Sequence, residues 1–322
     1  MKALITAAMV IGAALSGTAA IAKTTWNLPT GYSENNYHTK NLHWFADEVK
    51  KATNGEIEII VHANATLYKV PEIKRAIQSG QVPIGDFVLS INGNEDPIFE
   101  PDMLPFLASG LDRARLLYVA QKPLLDQRFA KQGLRLLYSV PWPGNGIFSK
   151  EKMESRADFK GAKFRTYNSI TARLAEGLGA QPTTVQVPEL AQAFMSGMAT
   201  VMIAAASIGV DTKAWEFTKY FYNANAFHPR SVVLVNERAF SRLPKEQQAV
   251  IIDIAAKAEA RGWALCADES KSSVETLAAN GLRVSPLSTQ MRSDYEQVSK
   301  TIIADWVKRA GADGEKIMEA LR

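Results

Sequence analysis

The residue most able to bind a charged ligand is Arg165, in the segment FKGAKFRTYN at positions 159–168. This segment passes from a glycine turn into a short predicted strand, and Arg165 lies at the carboxyl end of that strand, ahead of a predicted helix. In open α/β folds, ligands bind at such strand ends. A guanidinium group offers a planar fork of donors that holds a carboxylate through two parallel hydrogen bonds. The pattern therefore favours a carboxylate site, with a salt bridge at the surface or between lobes as the alternative.

Aromatic side chains are concentrated in the predicted loops. Some of them belong to the core, and others are suited to wall an apolar pocket that carries a few polar anchors. The loop aromatics are Trp26, Tyr32, Tyr37, Tyr68, Trp142, Tyr167 and Trp215.

The sequence contains none of the common catalytic patterns. It has four histidines but no His-Glu-x-x-His pair, nucleophile elbow or phosphate-binding loop. Gly144-Asn145-Gly146 is followed by Ser149 where a dinucleotide fingerprint has its third glycine. The single cysteine, Cys266, excludes a disulfide within the chain and a cysteine-based zinc site, and its Ala/Leu-rich helix is typical of a core position. We therefore expect neither catalysis nor a cofactor.

One acidic turn is the main candidate for a cationic ligand. It contains Glu95, Asp96, Glu100 and Asp102 among turn-forming residues. Their carboxylates could bind a cation or an amine, but the surrounding turn residues favour a solvated loop.

The composition is that of a folded protein. Of 322 residues, 47% are hydrophobic and 22% are charged, which is typical of globular domains, and the length suggests about two of them. There are 37 Lys and Arg against 33 Asp and Glu, a net charge of +4. Because no run of five or more basic residues occurs, this excess does not predict nucleic-acid binding.

The first 22 residues have the layout of a secretory signal peptide. A positive start, Met1-Lys2, precedes an apolar run at 3–15 and the small-x-small site Ala20-Ile21-Ala22. Cleavage after Ala22 would leave an exported, periplasmic chain that begins at Lys23. An uncleaved anchor is the alternative, but the run is shorter than the ~18 apolar residues that cross a bilayer.

Predicted strands and helices alternate along the rest of the chain, which favours an α/β fold with mostly parallel sheets. The longest helix is predicted over Lys245–Ala279, and at 1.5 Å per residue it would span about 52 Å, enough to cross two lobes. The run Pro141-Trp142-Pro143-Gly144 indicates a crossing between lobes. The other predicted strands are 24–28, 56–62, 84–89, 134–140, 162–165, 183–187, 199–205, 231–235 and 282–285, and the other helices are 38–53, 72–78, 111–132 (with a break allowed before Pro123), 169–178, 189–195, 291–309 and 314–321.

Several short motifs follow one another in a recognisable order. They are Trp26, NLHWFADEVKKATNG at 41–55, EIEIIVH at 56–62, NATL at 64–67, EIKRAIQSG at 72–80, LPFL at 104–107, DFKGAKFR at 158–165, PELAQAFMSG at 188–197, and Phe240 with LPKEQQ at 243–248. Their order and spacing resemble the solute-binding proteins of tripartite ATP-independent periplasmic (TRAP) transporters, of the dicarboxylate-binding type. The resemblance covers nearly the whole mature chain.

This resemblance implies an α/β, two-lobe periplasmic binding protein fold (type II-like), with crossing strands and a long bridging helix. It implies a first lobe of 23–141 with about 229–243, a second lobe of 142–228 with about 281–322, and a bridging helix of 244–280. It also implies that Arg165 pairs with a ligand carboxylate in the cleft between the lobes. The ligand is then delivered, chemically unchanged, to TRAP permease membrane subunits. We expect the receptor to be a monomer.

Two departures from the family pattern change the expected ligand. Ala204 and Ile203 stand where such proteins often carry an asparagine and an acidic residue, and Gly146 stands where a second arginine is often found. Fewer polar anchors favour a small monocarboxylate, aromatic or amino-bearing, over a uronate or dicarboxylate. The other expected ligand contacts are hydrogen bonds from Asn145, Asn168 and Ser207, stacking on Trp142, Tyr167 and Trp215, and an aromatic wall that includes Tyr32 and Tyr68.

Three other functions stay open on the sequence alone. A small amine or zwitterion could bind through Glu95 or Asp96. The chain could sense its ligand for a signalling partner rather than a permease. A secreted hydrolase would need a paired acid and base, which the sequence does not supply.

Overall fold

The computed structural model describes residues 23–322, so the predicted signal peptide and its cleavage site lie outside the described residues. The strands are β1 (Thr24–Pro29), β2 (Ile57–His62), β3 (Ile84–Val88), β4 (Leu134–Pro141), β5 (Asn145–Ser149), β6 (Lys163–Thr166), β7 (Gln181–Thr184), β8 (Val201–Ala205), β9 (Tyr220–Tyr222), β10 (Arg230–Asn236) and β11 (Arg283–Ser285). The helices are α1 (Tyr37–Ala52), α2 (Val70–Gln78), α3 (Leu111–Lys131), α4 (Ser169–Leu178), α5 (Leu190–Met195), α6 (Ala206–Asp211), α7 (Glu237–Ser241), α8 (Lys245–Ala279) and α9 (Thr289–Ala320).

The first lobe contains two small sheets. Strands β1 and β2 pair in parallel, and β3, β10 and β4 form an antiparallel sheet in that order. Helix α1 covers β2 with a buried stripe of Leu42, Phe45 and Val49, which has the spacing of one helix face. Asn36 caps this helix, since its side-chain oxygen accepts from the His38 backbone N–H at 2.8 Å.

The second lobe contains a six-stranded sheet in the order β11-β9-β5-β8-β6-β7. Strands β6, β7 and β8 are parallel, and α4 connects β6 to β7 as a βαβ unit. Parallel strands bring their carboxyl ends to one edge of a sheet, where open α/β folds bind ligands. This edge carries Arg165.

The two lobes are joined by crossing segments that lie side by side. One connects β4 to β5 and the other connects β9 to β10. The Trp142 N–H donates to the Pro229 carbonyl oxygen at 2.7 Å, and the Asn145 N–H donates to the Phe227 carbonyl oxygen at 3.0 Å. The predicted crossing at 141–144 therefore coincides with an observed connection between the sheets.

The sheets are mixed, so the prediction of mostly parallel sheets is wrong. Strand β10 runs antiparallel to β3 and β4, and β5 runs antiparallel to β8 and β9. Both strands follow a crossing segment instead of a helix that returns along the same sheet, and they therefore enter opposite to their neighbours. The α/β class itself is confirmed.

Helix α8 bridges the lobes, as predicted. It packs on α1 and β4 of the first lobe and on α6 and β11 of the second. Gly262 permits close approach to β4, because a Cβ at this position would lie 2.4 Å from Cγ2 of Val140. None of the helices formed by residues 23–322 is long and apolar enough to span a membrane.

Two other helices differ in detail from the prediction. Helix α3 continues through Pro123 without a break. The carbonyl that loses its helical partner at this proline belongs to Val119, a residue that is 62% exposed. Helix α9 is interrupted at Gly311 (φ 57°, ψ −139°), which matches the two predicted segments. It packs on both α3 and α4, and the residue boundaries of the lobes stay a prediction.

Candidate ligand-binding cleft

Arg165 lies on β6 with a guanidinium group held in one orientation. Its Nε donates to the carbonyl oxygen of Val185 at 2.8 Å, and its Nη1 donates to that of Ile203 at 3.3 Å. The guanidinium carbon lies 4.8 Å from the ring centre of Tyr167, a cation–π contact. The neighbouring strand ends therefore fix the plane of the fork, and within residues 23–322 no hydrogen bond involves Nη2.

The charge of Arg165 is buried without a counter-charge. The side chain is 2% exposed, and no carboxylate of the described chain pairs with it. Burial lowers the pKa of Arg165 to about 10, so the group stays positive at neutral pH. Burying an unpaired charge is costly, and the alternative prediction of a salt bridge is wrong for the described chain. Within residues 23–322 the guanidinium therefore has carbonyl and aromatic contacts but no anionic partner.

Three aromatic residues surround the cavity that Arg165 lines. The rings of Tyr32 and Trp142 lie 4.6 Å apart, and Trp142 Nε1 donates to Ser231 Oγ at 3.2 Å. The Tyr167 hydroxyl accepts from Asn145 Nδ2 at 3.4 Å. These contacts position the three rings and the Asn145 amide at the cavity wall, and their contact with a ligand stays a prediction.

The rest of the cavity wall is mostly apolar. The cavity has a volume of about 50 Å³. Since one water molecule needs about 10–15 Å³ of such space, the cavity suits a small ligand. Among the described lining residues, Arg165 alone is charged. The remaining wall is Val70, Val88, Gln186, Val187, Ala204, Ala205, Ile208 and Pro229.

Four residues predicted as ligand contacts do not line this cavity. Tyr68 donates its hydroxyl proton to Gln81 Oε1 at 3.2 Å, and Trp215 lines a separate surface depression. Ser207 is buried beside the cavity wall, and its Oγ has no partner within residues 23–322. Asn168 caps α4 and reaches Ser90 instead.

Gly146 lies on β5, close to residues of the neighbouring strand β9. A Cβ at Gly146 would lie 2.5 Å from the Phe221 ring and 2.5 Å from the Tyr222 carbonyl oxygen. A larger residue at this position would therefore displace Phe221 or the Tyr222 backbone. The adjacent Asn145 lines the cavity.

Among its carboxylates, the acidic turn is solvated only at Glu95 and in part at Asp96, so the prediction of a solvated loop is wrong for Glu100 and Asp102. Glu100 and Asp102 are 2% and 4% exposed. Asp102 Oδ2 accepts from the Arg230 backbone N–H at 2.8 Å and lies 3.6 Å from Arg230 Nε. Burial raises the pKa of Asp102 to about 6, although the positive charge of Arg230 opposes this rise.

The two carboxylates considered for an amine ligand are already engaged. Glu95 accepts from Lys74 Nζ at 2.5 Å, and Asp96 accepts from Arg128 Nε at 3.0 Å. Neither lines the cavity. Over residues 23–322, no three His, Cys, Asp or Glu side chains converge as a metal site would require.

Sequence reasoning missed several lining residues. Gln186 and Val187 follow β7, which is the parallel neighbour of β6, so the rule that points to Arg165 could have found them. Val88 and Pro229 come from the first lobe and the crossing segment, and only the tertiary fold brings them to the cavity.

Comparison with known proteins assigns this architecture to a family. The family model described as bacterial extracellular solute-binding protein, family 7, matches residues 30–309. Crystal structures of DctP7 and DctP6, extracytoplasmic solute receptors of Bordetella pertussis binding pyroglutamic acid, are 45% and 44% identical, with TM-scores of 0.92 and 0.91; each comparison covers 93% of this chain and 99% of the receptor. A marine metagenome TRAP solute binding protein specific for pyroglutamate is 36% identical with a TM-score of 0.91 over the same shares.

The family and these relatives are solute-binding receptors, not enzymes. The matched receptors are extracytoplasmic, and TRAP binding proteins work with membrane permease subunits. The chain belongs to the bacterial extracellular solute-binding proteins of family 7 and is a TRAP receptor for small organic acids.

Proposed function

We propose that this receptor captures pyroglutamate, or a closely related cyclic amide with one carboxylate, and delivers it to a TRAP permease. The observation that carries the proposal is Arg165, a buried cation without a carboxylate partner in residues 23–322, at a cavity whose described wall is otherwise uncharged. One anionic group on the ligand would complete this ion pair.

The absence of any charged group other than Arg165 from the described wall argues against other classes of small acid. A dicarboxylate would bury its second carboxylate among Val88, Ala204 and Ile208 without a second cation. An amino acid such as proline would bury an ammonium group with no described lining carboxylate to pair with it. A sugar acid carries more hydroxyl groups than this apolar wall can satisfy. A lactam is polar but uncharged, so it avoids both unpaired charges.

The lactam ring needs one hydrogen-bond acceptor and one donor. The amides of Asn145 and Gln186 each offer both, and the Tyr32 hydroxyl offers both as well. The ring itself suits the flat faces of Tyr32, Trp142 and Tyr167. Pyroglutamate is also what three receptors at 36–45% identity bind. This replaces the expected aromatic or amino-bearing acid with a saturated cyclic amide.

The proposal also covers export and assembly. The leader would be cleaved after Ala22, and the mature receptor would act as a monomer in the periplasm. Intact-mass analysis of the exported protein and light scattering test these two points directly.

A thermal-shift panel tests the ligand assignment. Bound ligand raises the melting temperature by mass action, so L-pyroglutamate is expected to give a much larger shift than succinate, proline, glutamate or galacturonate at equal concentration. A dominant shift with succinate or with galacturonate would contradict the proposal. A dominant shift with proline would favour the zwitterion alternative.

A further inference from the structure

The two lobes are closed over the cavity in this structure. Arg165 of the second lobe and Trp142 of the crossing segment are 2% and 3% exposed. Two pairs of side chains at the edge of the cleft form contacts across it. Ser90 and Glu100 follow β3 in the first lobe, and they contact Asn168 and Ser169, respectively, at the start of α4 in the second.

Glu100 makes the charged contact of this group. Its Oε1 accepts from Ser169 Oγ at 2.8 Å, and its Oε2 accepts from Arg309 Nη2 at 2.6 Å. The side chain is 2% exposed, and its stem lies against Gly93, where a Cβ would be 2.4 Å from the Glu100 Cγ. Arg309, on the helix α9 that packs against both α3 and α4, therefore holds Glu100 in place, and the other carboxylate oxygen accepts from Ser169 at the start of α4.

Asn168 makes the neutral contact. Its Oδ1 accepts from the Thr171 N–H at 2.9 Å and caps α4, while its Nδ2 donates to Ser90 Oγ at 2.9 Å. The two ends of one amide thus serve different purposes, because one end completes the helix and the other reaches the opposite lobe. The capping function alone does not require the amide nitrogen.

Both sides of this contact continue directly into the cavity wall. Tyr167 and Arg165 precede Asn168 on the second lobe, and Val88 precedes Ser90 by two residues on the first. A movement that separates the lobes must therefore break the hydrogen bonds and open the cavity together.

We propose that Ser90, Glu100, Asn168 and Ser169 form a closure latch that sets how long the receptor retains its ligand. Hydrogen bonds made only in the closed state lower the free energy of that state relative to the open one. They leave ligand encounter with the open form unchanged and slow reopening, so the effect falls on the dissociation rate. These are positioning residues, since none of the four lines the cavity. The inference rests on the receptor function and is independent of which acid is bound.

The test compares ligand release in four variants. Ser169→Ala removes the donor to Glu100, Ser90→Ala removes the acceptor of Asn168, and Asn168→Ser retains a capping oxygen but is too short to reach Ser90. The matched control is Ser273→Ala, which removes a Ser–Glu hydrogen bond of 2.9 Å within α8. Stopped-flow measurements with L-pyroglutamate give the association and dissociation rates.

We expect dissociation to be faster by about tenfold in Ser169→Ala and by about fivefold in the other two latch variants, the sizes typical of lost charged and neutral hydrogen bonds. The association rate should stay within about twofold, and Ser273→Ala should release ligand at the parental rate. Parental dissociation rates in all three latch variants, or an equal acceleration in Ser273→Ala, would overturn the proposal.

A second readout separates this proposal from the ligand assignment. Fluorescent labels at Lys51→Cys and Glu176→Cys, one exposed position on each lobe, report closure by energy transfer with or without ligand. If pyroglutamate does not bind, the assignment fails, and the same comparison is made with the acid that gives the largest thermal shift. Latch variants should then close less at equal saturation, and unchanged closure in all of them contradicts the latch.

Discussion

Arg165 Nε donates to the Val185 carbonyl oxygen at 2.8 Å, so the strand end beside β6 orients the cation that faces the ligand cavity. Together with the bond from Nη1 to the Ile203 carbonyl oxygen, this contact uses part of the donor fork. Nη2 makes no hydrogen bond within residues 23–322, and in the proposed complex it is available to the ligand carboxylate. The ion pair formed there would offset the cost of burying the cation.

Replacing Arg165 should separate binding from folding. Arg165→Lys loses the planar fork and Arg165→Gln also loses the charge, so affinity for L-pyroglutamate should fall at least about a hundredfold in both, as for other buried charge pairs. The ligand-free melting temperature of Arg165→Gln should equal or exceed that of the parent, because an unpaired buried charge has been removed. Calorimetric binding and unfolding measurements check both results.

The control for these variants is Arg135→Gln, which breaks the surface pair with Glu237 outside the cavity. It should bind as the parent does. A hundredfold loss in this control, or parental affinity in Arg165→Gln, would remove the assignment of Arg165 as the carboxylate anchor.

Asn145 is expected to contribute a weaker, neutral contact. Its side chain is 2% exposed, and the contact with the Tyr167 hydroxyl is long at 3.4 Å, so the amide retains capacity for a ligand. Asn145→Ala should weaken pyroglutamate binding about tenfold and leave the melting temperature within a few degrees. Tyr68→Phe, which changes a hydroxyl outside the cavity, should have no effect in the same titration. Equal affinities for Asn145→Ala and the parent would exclude this residue as an anchor.

Close packing of α8 on β4 gives a prediction about stability. Gly262→Ala would place its Cβ 2.4 Å from Cγ2 of Val140. Overpacking of this kind costs about 1–3 kcal/mol, more than the ~1 kcal/mol that alanine contributes to a helix interior relative to glycine. The net loss of up to about 2 kcal/mol should lower the melting temperature by up to about 3 °C.

A double variant tests the stated cause of that loss. In the double variant with Gly262→Ala and Val140→Ala, the clash is removed. Its loss of stability should therefore be smaller than the sum of the losses in the two single variants. Additive losses would show that the contact with Val140 is not responsible.

Asp86 gives a prediction about pH. It lies on β3, is 2% exposed, and accepts from Thr30 Oγ1 at 2.8 Å. Burial raises the pKa of Asp86 to about 7, and the Thr30 hydrogen bond offsets only part of the rise. Between pH 3.8 and about 7, the folded state thus retains a proton on Asp86 that the unfolded carboxyl, with its ordinary pKa of 3.8, has already released. The stabilising contribution is complete below about pH 3.8 and is lost as the pH rises through 7.

Asp86→Asn retains an accepting oxygen for Thr30 and cannot ionise. Between pH 5 and 8, its melting temperature should therefore rise relative to that of the parent by several degrees. Melting curves at half-unit intervals of pH measure this difference. A constant difference across that range would mean that Asp86 does not titrate there.

The sequence predicted what depends on neighbours along the chain. The stripe of α1, the length of α8 and the strand end that carries Arg165 all follow from local periodicity and turn residues. Contacts between segments that are distant in the chain could not be predicted from these local patterns. Glu100 looked solvated because its partner Arg309 is 209 positions away, and Asp102 did so because Arg230 is 128 positions away.

Side-chain direction accounts for the errors in the candidate site. Tyr68, Trp215 and Asn168 have the right chemistry for a ligand contact, but the fold directs each of them elsewhere. Asn145 lines the cavity, whereas the adjacent Gly146 is packed against Phe221 and the Tyr222 backbone, which the strand register brings beside it. A resemblance between motifs places residues on elements but does not fix this register.

Isothermal titration of L-pyroglutamate into the parent and into Arg165→Gln decides whether Arg165 anchors the ligand carboxylate. We expect one ligand per chain for the parent and little or no binding heat for the variant at the same concentrations. Equal dissociation constants in the two proteins, or a parent that binds succinate but not pyroglutamate, would contradict this expectation.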